Sequence, residues 1–301
     1  MKAARSWRRQ IEGGNRSSIP HGLLAIIENP LPRGAISTTK GTGVNYEIDC
    51  LPMGIGEVPG PEVFWMNDWE EWYPLAFQVV LIRGNGVVAL VNTGPALDLT
   101  PMNDGWASFL GERARLAREP GQFVIDQLAR HGVLPGDVTH VILTPLQLYT
   151  VSNVLSFPNA SIHLSKRGWI HFNTMVDHPH DDRDTSIPPA ILKELVTTAW
   201  PRVVLLEDED EIVPGLRTWW AGSHHRATVA VEVDTTEGTV VISDAFFYLE
   251  NLERNRPIGI CENIYEAETA YERARQAAIA LPLYDPKNFS RFPDGIGRTA
   301  R

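Results

Sequence analysis

Apolar positions in this chain fall in short β-branched runs separated by turn residues, with helical spacing in only a few places. Residues 77–83 (Phe-Gln-Val-Val-Leu-Ile-Arg) and 87–91 (Val-Val-Ala-Leu-Val) flank Gly84-Asn85-Gly86. This predicts a β-hairpin, because Gly and Asn reach the positive φ that a tight turn demands. Residues 138–144 form another β-branched run, predicted as a buried strand that stops at Pro145, which has no amide hydrogen and a fixed φ. Alternation over 46–53 predicts a first strand, and 161–164, 212–220, 229–233 and 238–245 read as further strands. The period changes between 120 and 132. Pro120 suits a first turn, Phe123, Val124, Ile125 and Leu128 give one apolar face, and Gly132 sits at the cap, so a helix is predicted. Residues 262–280, with Glu early and Arg and Ala later, predict another.

Composition limits what such a chain can do. With 301 residues, 43% of them hydrophobic, it can bury a large core as one α/β domain. Gly13-Gly14-Asn15 and Ser17-Ser18 break any pattern near the start, so residues 1–30 are expected to be an arm that orders against a partner chain, leaving 31–301 as the domain. The formal net charge is −10, and the one basic cluster is Arg5, Arg8 and Arg9, which argues against nucleic acid or an anionic membrane as partner. No apolar run reaches the roughly 18 residues of a membrane span, and the start lacks the apolar core of a secretory signal, so a cytoplasmic location is expected. Cys50 and Cys261 are far apart and read as reduced, structural side chains.

Two stretches concentrate chemistry. Residues 63–73 carry Phe64, Trp65, Trp69, Trp72 and Tyr73, which suits either a cover over the core or a contact with substrate or a second subunit. His178, His180 and the aspartates around them in 177–184 are ordinary metal ligands, but the intervening proline and the crowded like charges favour a solvated loop.

The strand end at Thr144 resembles that of the metallo-β-lactamase superfamily, lactonase-like branch, where Thr-His-x-His-x-Asp-His follows such a strand. Further landmarks keep the same order: Asn92-Thr93-Gly94 where the family has Asp-Thr-Gly, then Gly222-Ser223-His224-His225, Ser243-Asp244-Ala245, and Tyr284-Asp285-Pro286 where the branch has His-Asp-Pro. Arg291-Phe292-Pro293-Asp294-Gly295 closes the series. The resemblance implies an α/β fold, an αββα four-layer sandwich, with a dinuclear metal site. Of the implied ligands only His224 and Asp244 are matched. Pro145, Gln147, Tyr149 and Thr150 stand at the first-loop positions and Tyr284 at the last histidine. Catalytic zinc takes about three protein ligands and keeps one position open, so no metal is expected in this chain. Either His224 or His225 could face inward.

A scaffold with erased ligands implies a role other than its own zinc chemistry. The expected role is a non-catalytic structural or regulatory subunit of a hetero-oligomeric hydrolase, paired with a homologous subunit that bears zinc or another divalent metal, or with itself. One alternative is metal-independent hydrolysis of an ester, lactone or activated aryl ether. There His224 and Asp244 would form an oriented base, Tyr149 and Tyr284 would donate to an oxyanion, and Gln147, Thr150, His225, Trp65 and Trp69 would line the pocket. No Gly-x-Ser-x-Gly nucleophile motif accompanies them. The other alternative binds a small neutral or aromatic ligand without turnover.

Overall fold

The computed structural model describes residues 43–174 and 186–298. Strands β1 (Glu47–Pro59), β2 (Trp72–Gly84), β3 (Val87–Val91), β4 (His140–Leu143), β5 (Ser161–Ser165) and β6 (Val203–Leu206) lie side by side in that order. A second sheet runs β11 (Ile279–Pro282), β10 (Gly238–Ser243), β9 (Val229–Thr235), β8 (Leu216–Trp220) and β7 (Glu209–Val213). Each sheet begins as an antiparallel meander. The first turns parallel from β3 to β6, the second at β10 and β11. Parallel neighbours need a crossover, and helices supply it: Val124–Arg130 between β3 and β4, and Ile264–Ala274 between β10 and β11.

The two sheets face one another across a shared core, with helices outside, which is the expected four-layer sandwich. On the second sheet Val231, Val233, Val240 and Ile242 join the central core, while Ala230, Val241 and Trp219 face outward under Ala267, Ala270, Tyr271 and Ala274. Both faces are therefore buried, which is why 229–233 reads as almost continuously apolar. Each fully buried Val or Ile of this set contributes about 1.5–3 kcal/mol.

The predicted hairpin has its turn at Asn85-Gly86, with φ of 55° and 79°, between paired Gly84 and Val87. Residues 212–220 are two strands rather than one. Gly215 has φ 81° and Val213 pairs with Leu216, so Pro214-Gly215 folds the stretch into β7 and β8. The helix expected over 262–280 is confined to Ile264–Ala274, started by the Asn263 side chain accepting from the Tyr265 N–H; Ile279 already belongs to β11. The readings on residues 1–30 and 177–184 lie outside the described residues. Among those described, no helix is long and apolar enough to cross a membrane. Cys50 and Cys261 are free thiols, and burial pushes Cys50 up to about 12, which suits an unreactive core position.

Candidate functional site

The site is assembled where β3, β4, β10 and β11 end. Asn92, just past β3, has φ 68°, a conformation that Asn tolerates better than most residues. Its Oδ1 accepts the Thr144 N–H at 2.8 Å and its Nδ2 donates to the Thr144 carbonyl at 2.8 Å. A carboxamide matches that donor and acceptor pair, whereas an aspartate could only accept. The Asn in the Asn-Thr-Gly turn thus clamps the end of β3 to the end of β4.

Thr144 passes the order on to the second sheet. Its hydroxyl accepts the Val229 N–H at 2.9 Å and donates to Asp244 Oδ1. The other carboxylate oxygen accepts from the Thr228 hydroxyl at 2.8 Å and faces His224 Nδ1, also at 2.8 Å. Gly222 and Ser223, with φ of 59° and 64°, make the left-handed turn that aims His224 at Asp244. His225 takes the other direction: its Nδ1 lies 3.4 Å from Glu262 Oε1 while its ring packs 4.2 Å from that of His224. His224 is therefore the inward histidine. Burial raises the Glu262 carboxyl, but His225 and Arg226 outweigh it and hold it down to about 2.

Asp244 is fully buried and His224 is 3% exposed. Burial, reinforced by His225, pushes the imidazole down to about 4 despite the pull of Asp244. It is neutral near pH 7, so Nδ1–H donates to Asp244 and Nε2 keeps its lone pair.

The first loop is built differently from a ligand loop. The Thr150 hydroxyl lies 2.5 Å from the Pro145 carbonyl and 2.7 Å from that of Gln147, and accepts the Gln147 N–H at 3.2 Å. Its carbonyl in turn accepts from the Thr93 hydroxyl at 2.7 Å. Thr150 thus ties the short helix Leu148–Val151 to the preceding strand end. The Gln147 amide reaches Ser186 Oγ at 3.4 Å. Tyr149 packs edge-on against Phe77 at 5.2 Å and lies 6.2 Å from the Tyr284 ring.

Tyr284 sits in the middle of this group. It is 3% exposed, and its ring meets Phe247 at 4.9 Å, Phe77 at 5.3 Å and His224 at 6.3 Å. Burial, then Tyr149 and Asp244, push its hydroxyl well above the ordinary phenol range. Tyr149 is close enough to act on that hydroxyl, but no partner of good hydrogen-bond geometry reaches it among the described residues. With Trp106 against Phe77 and Tyr149, these rings form a continuous aromatic packing beside His224.

This donor set does not fit a metal. Both Asp244 oxygens already accept hydrogen bonds, the Thr150 hydroxyl is committed to the backbone, and Pro145 offers no ligand atom. Among the described residues no group of three or more His, Cys, Asp or Glu side chains could hold a metal ion. Of the residues singled out from sequence, the structure brings together His224, Asp244, Tyr149 and Tyr284, with Gln147 and Thr150 in the adjoining loop and His225 turned aside. Trp65 and Trp69 are 49% and 67% exposed and make no hydrogen bond or ring contact with that group among the described residues. Sequence reasoning missed Thr228, Phe77, Trp106 and Phe247. Only the aromatic run Phe246-Phe247-Tyr248, just after Asp244, carried a signal.

No family model and no curated protein sequence matches this chain. Solved structures do. One is an N-acyl homoserine lactone hydrolase with the product N-hexanoyl-L-homoserine bound at its catalytic metal centre, 17% identical with a TM-score of 0.69 over 84% of this chain and 99% of that one. A dizinc quorum-quenching lactonase is 16% identical, with a TM-score of 0.58 over 81% and 89%. A probable metal-dependent hydrolase from Staphylococcus aureus is 15% identical, with a TM-score of 0.60 over 76% and 83%. The chain has the metallo-β-lactamase fold of these hydrolases, and its described residues lack a metal-binding cluster.

Proposed function

We propose that this chain is a non-catalytic structural or regulatory subunit that works with a metal-bearing hydrolase of the same fold. What carries the reading is Tyr284, packed against Phe77, Phe247 and His224 where the resemblance puts the last metal-binding histidine. A site lined with rings and committed hydroxyls supports a scaffold role. The lactone hydrolase and dizinc lactonase that share the fold suggest the class of partner.

The same features weigh against metal-independent hydrolysis by His224 and Asp244. A general base works best with a pKa near the operating pH, and His224, pushed down to about 4, is a weak one. Binding of a small neutral ligand is the second reading. The Tyr284 hydroxyl, buried beside Tyr149 and without a hydrogen-bond partner of good geometry among the described residues, is a donor that a ligand carbonyl would satisfy.

The test is to purify the chain alone, a metal-bearing homologue alone and the two co-expressed, then compare size and hydrolysis of N-acyl homoserine lactones and aryl esters. A mixed complex, with hydrolysis altered relative to the homologue and none by this chain alone, is expected. Turnover by the isolated chain, or no complex, would contradict the proposal.

A further inference from the structure

The loop of residues 64–71 carries exposed apolar side chains on a hydrogen-bonded backbone. Trp65, Met66 and Trp69 are 49%, 59% and 67% exposed. Such exposure usually goes with slack backbone, yet this loop is held along its length. The Gly60 N–H donates to the Glu71 carbonyl at 2.8 Å, Trp65 N–H to Pro257 at 2.8 Å, Asn67 N–H to Phe64 at 3.0 Å and Glu71 N–H to Asp68 at 3.0 Å. The Asp68 carboxylate accepts from the Tyr73 hydroxyl and from Arg256, each at 3.0 Å. Met66 and Asp68 have φ of 58° and 55°, a left-handed conformation that costs energy in non-glycine residues and persists where surroundings impose it. A loop fixed in this way presents its tryptophans at little entropic cost on binding.

The rings of this segment divide into two kinds. Phe64 is buried with the Arg256 guanidinium 4.2 Å above it, and Trp72 carries Arg113 at 5.0 Å, so the chain covers these two with its own cations. Among the described residues, Trp65 and Trp69 have neither a cation nor a second ring on them. Glu70 and Glu71, exposed beside them, add negative charge to that surface, Glu71 also facing the Arg113 guanidinium that lies over Trp72. An electron-rich ring face with carboxylates at its rim attracts a guanidinium or ammonium group.

We propose that residues 64–71 dock a protein segment that carries arginine or lysine next to an apolar side chain, the cation seated on Trp65 or Trp69 and the apolar group against Met66. The proposal deepens the subunit reading, on which it rests for the identity of the partner. An anionic bilayer would meet Glu70 and Glu71 with like charge. A two-fold contact between copies would set these glutamates near their own counterparts. Charge complementarity therefore favours a basic partner over either alternative, in keeping with a chain whose net charge is −10.

The experiment uses the full chain and its Trp65→Ala/Trp69→Ala variant, both checked by thermal melts. The probes are a short synthetic peptide alternating leucine with arginine, the same peptide with glutamate in place of arginine, and phosphatidylserine vesicles; sedimentation reports self-association. The arginine peptide is expected to bind, to weaken with salt, and to lose about tenfold or more in affinity with the double variant. A Glu70→Lys/Glu71→Lys variant is expected to weaken it as well, and the glutamate peptide to bind neither protein. The proposal is overturned by no binding of the arginine peptide, by equal affinity for the double variant, or by vesicle binding or self-association that the double variant abolishes. Hydrolysis by the isolated chain would end the subunit reading and leave this result standing. Failure of the peptide would end the docking proposal and leave co-purification to judge the subunit reading.

Discussion

Replacing Tyr284 separates packing from chemistry at the candidate site. If the ring serves to fill space, Tyr284→Ala removes contacts with Phe77, Phe247, Tyr149 and His224 at a position 3% exposed. Truncation of a buried aromatic to alanine costs about 3–5 kcal/mol. For a domain of this size, about 1 kcal/mol corresponds to roughly 2–4 °C, so the melting temperature should fall by about 10 °C. Tyr284→Phe keeps the ring and removes a hydroxyl that lies near Tyr149 but has no partner of good hydrogen-bond geometry among the described residues. Its stability should lie within about 0.5 kcal/mol of wild type or above it, because the unmet desolvation cost of the hydroxyl disappears. Urea unfolding followed by tryptophan fluorescence measures both variants. A loss of about 2 kcal/mol or more in Tyr284→Phe would show that the hydroxyl has a structural partner and refute the filler account. Near-wild-type stability of Tyr284→Ala would show that the rings are not packed as described.

Other positions give independent checks. Asn92→Asp would set a carboxylate oxygen against the Thr144 carbonyl and should lower stability by at least about 2 kcal/mol in urea melts; an unchanged midpoint would contradict the carboxamide clamp. Thr150→Val should cost about 1–3 kcal/mol, since the buried Gln147 N–H loses its hydroxyl acceptor, and restoring a histidine there should be no easier. His163 is buried with neither ring nitrogen paired among the described residues, and burial, with His140 beside it, pushes it down to about 4. An unfolded histidine titrates near 6.5, so the unfolded state binds the extra proton between about 6.5 and 4, and the stabilisation is present above that window and lost as pH falls through it. Replacing the ring by His163→Phe removes this term, so the stability gap between wild type and variant should change by about 3 kcal/mol between pH 7 and pH 4, and a constant gap would contradict it.

What the sequence made legible was local. The turn at Asn85-Gly86 needs only two residues able to take positive φ, and the helix Ile264–Ala274 shows in its own composition, with Glu early and Arg and Ala later. The break of 212–220 at Pro214-Gly215 was equally local, but its apolar flanks outweighed the turn residues in a reading by hydrophobic runs. The site depends on distant pairs. Thr144 meets Val229 across 85 positions and Asp244 across 100, and no periodicity announces a threonine as the junction of two sheets. The loss of the first-loop ligands was readable residue by residue. That Tyr284 would be surrounded by Phe77 and Phe247, from strands of sequence far apart, was not. The choice between His224 and His225 turned on the left-handed backbone at Ser223, which side-chain patterns do not reveal.

The central proposal is that this chain's own site does not carry out metal-assisted hydrolysis. Its most direct test is the rate at which the purified full chain hydrolyses a lactone and an aryl ester as zinc is titrated in. No zinc-dependent rate above the protein-free control is predicted, because Asp244 is committed to Thr144, Thr228 and His224 and the first loop supplies no imidazole. Zinc-dependent turnover that disappears in His224→Ala would contradict the account.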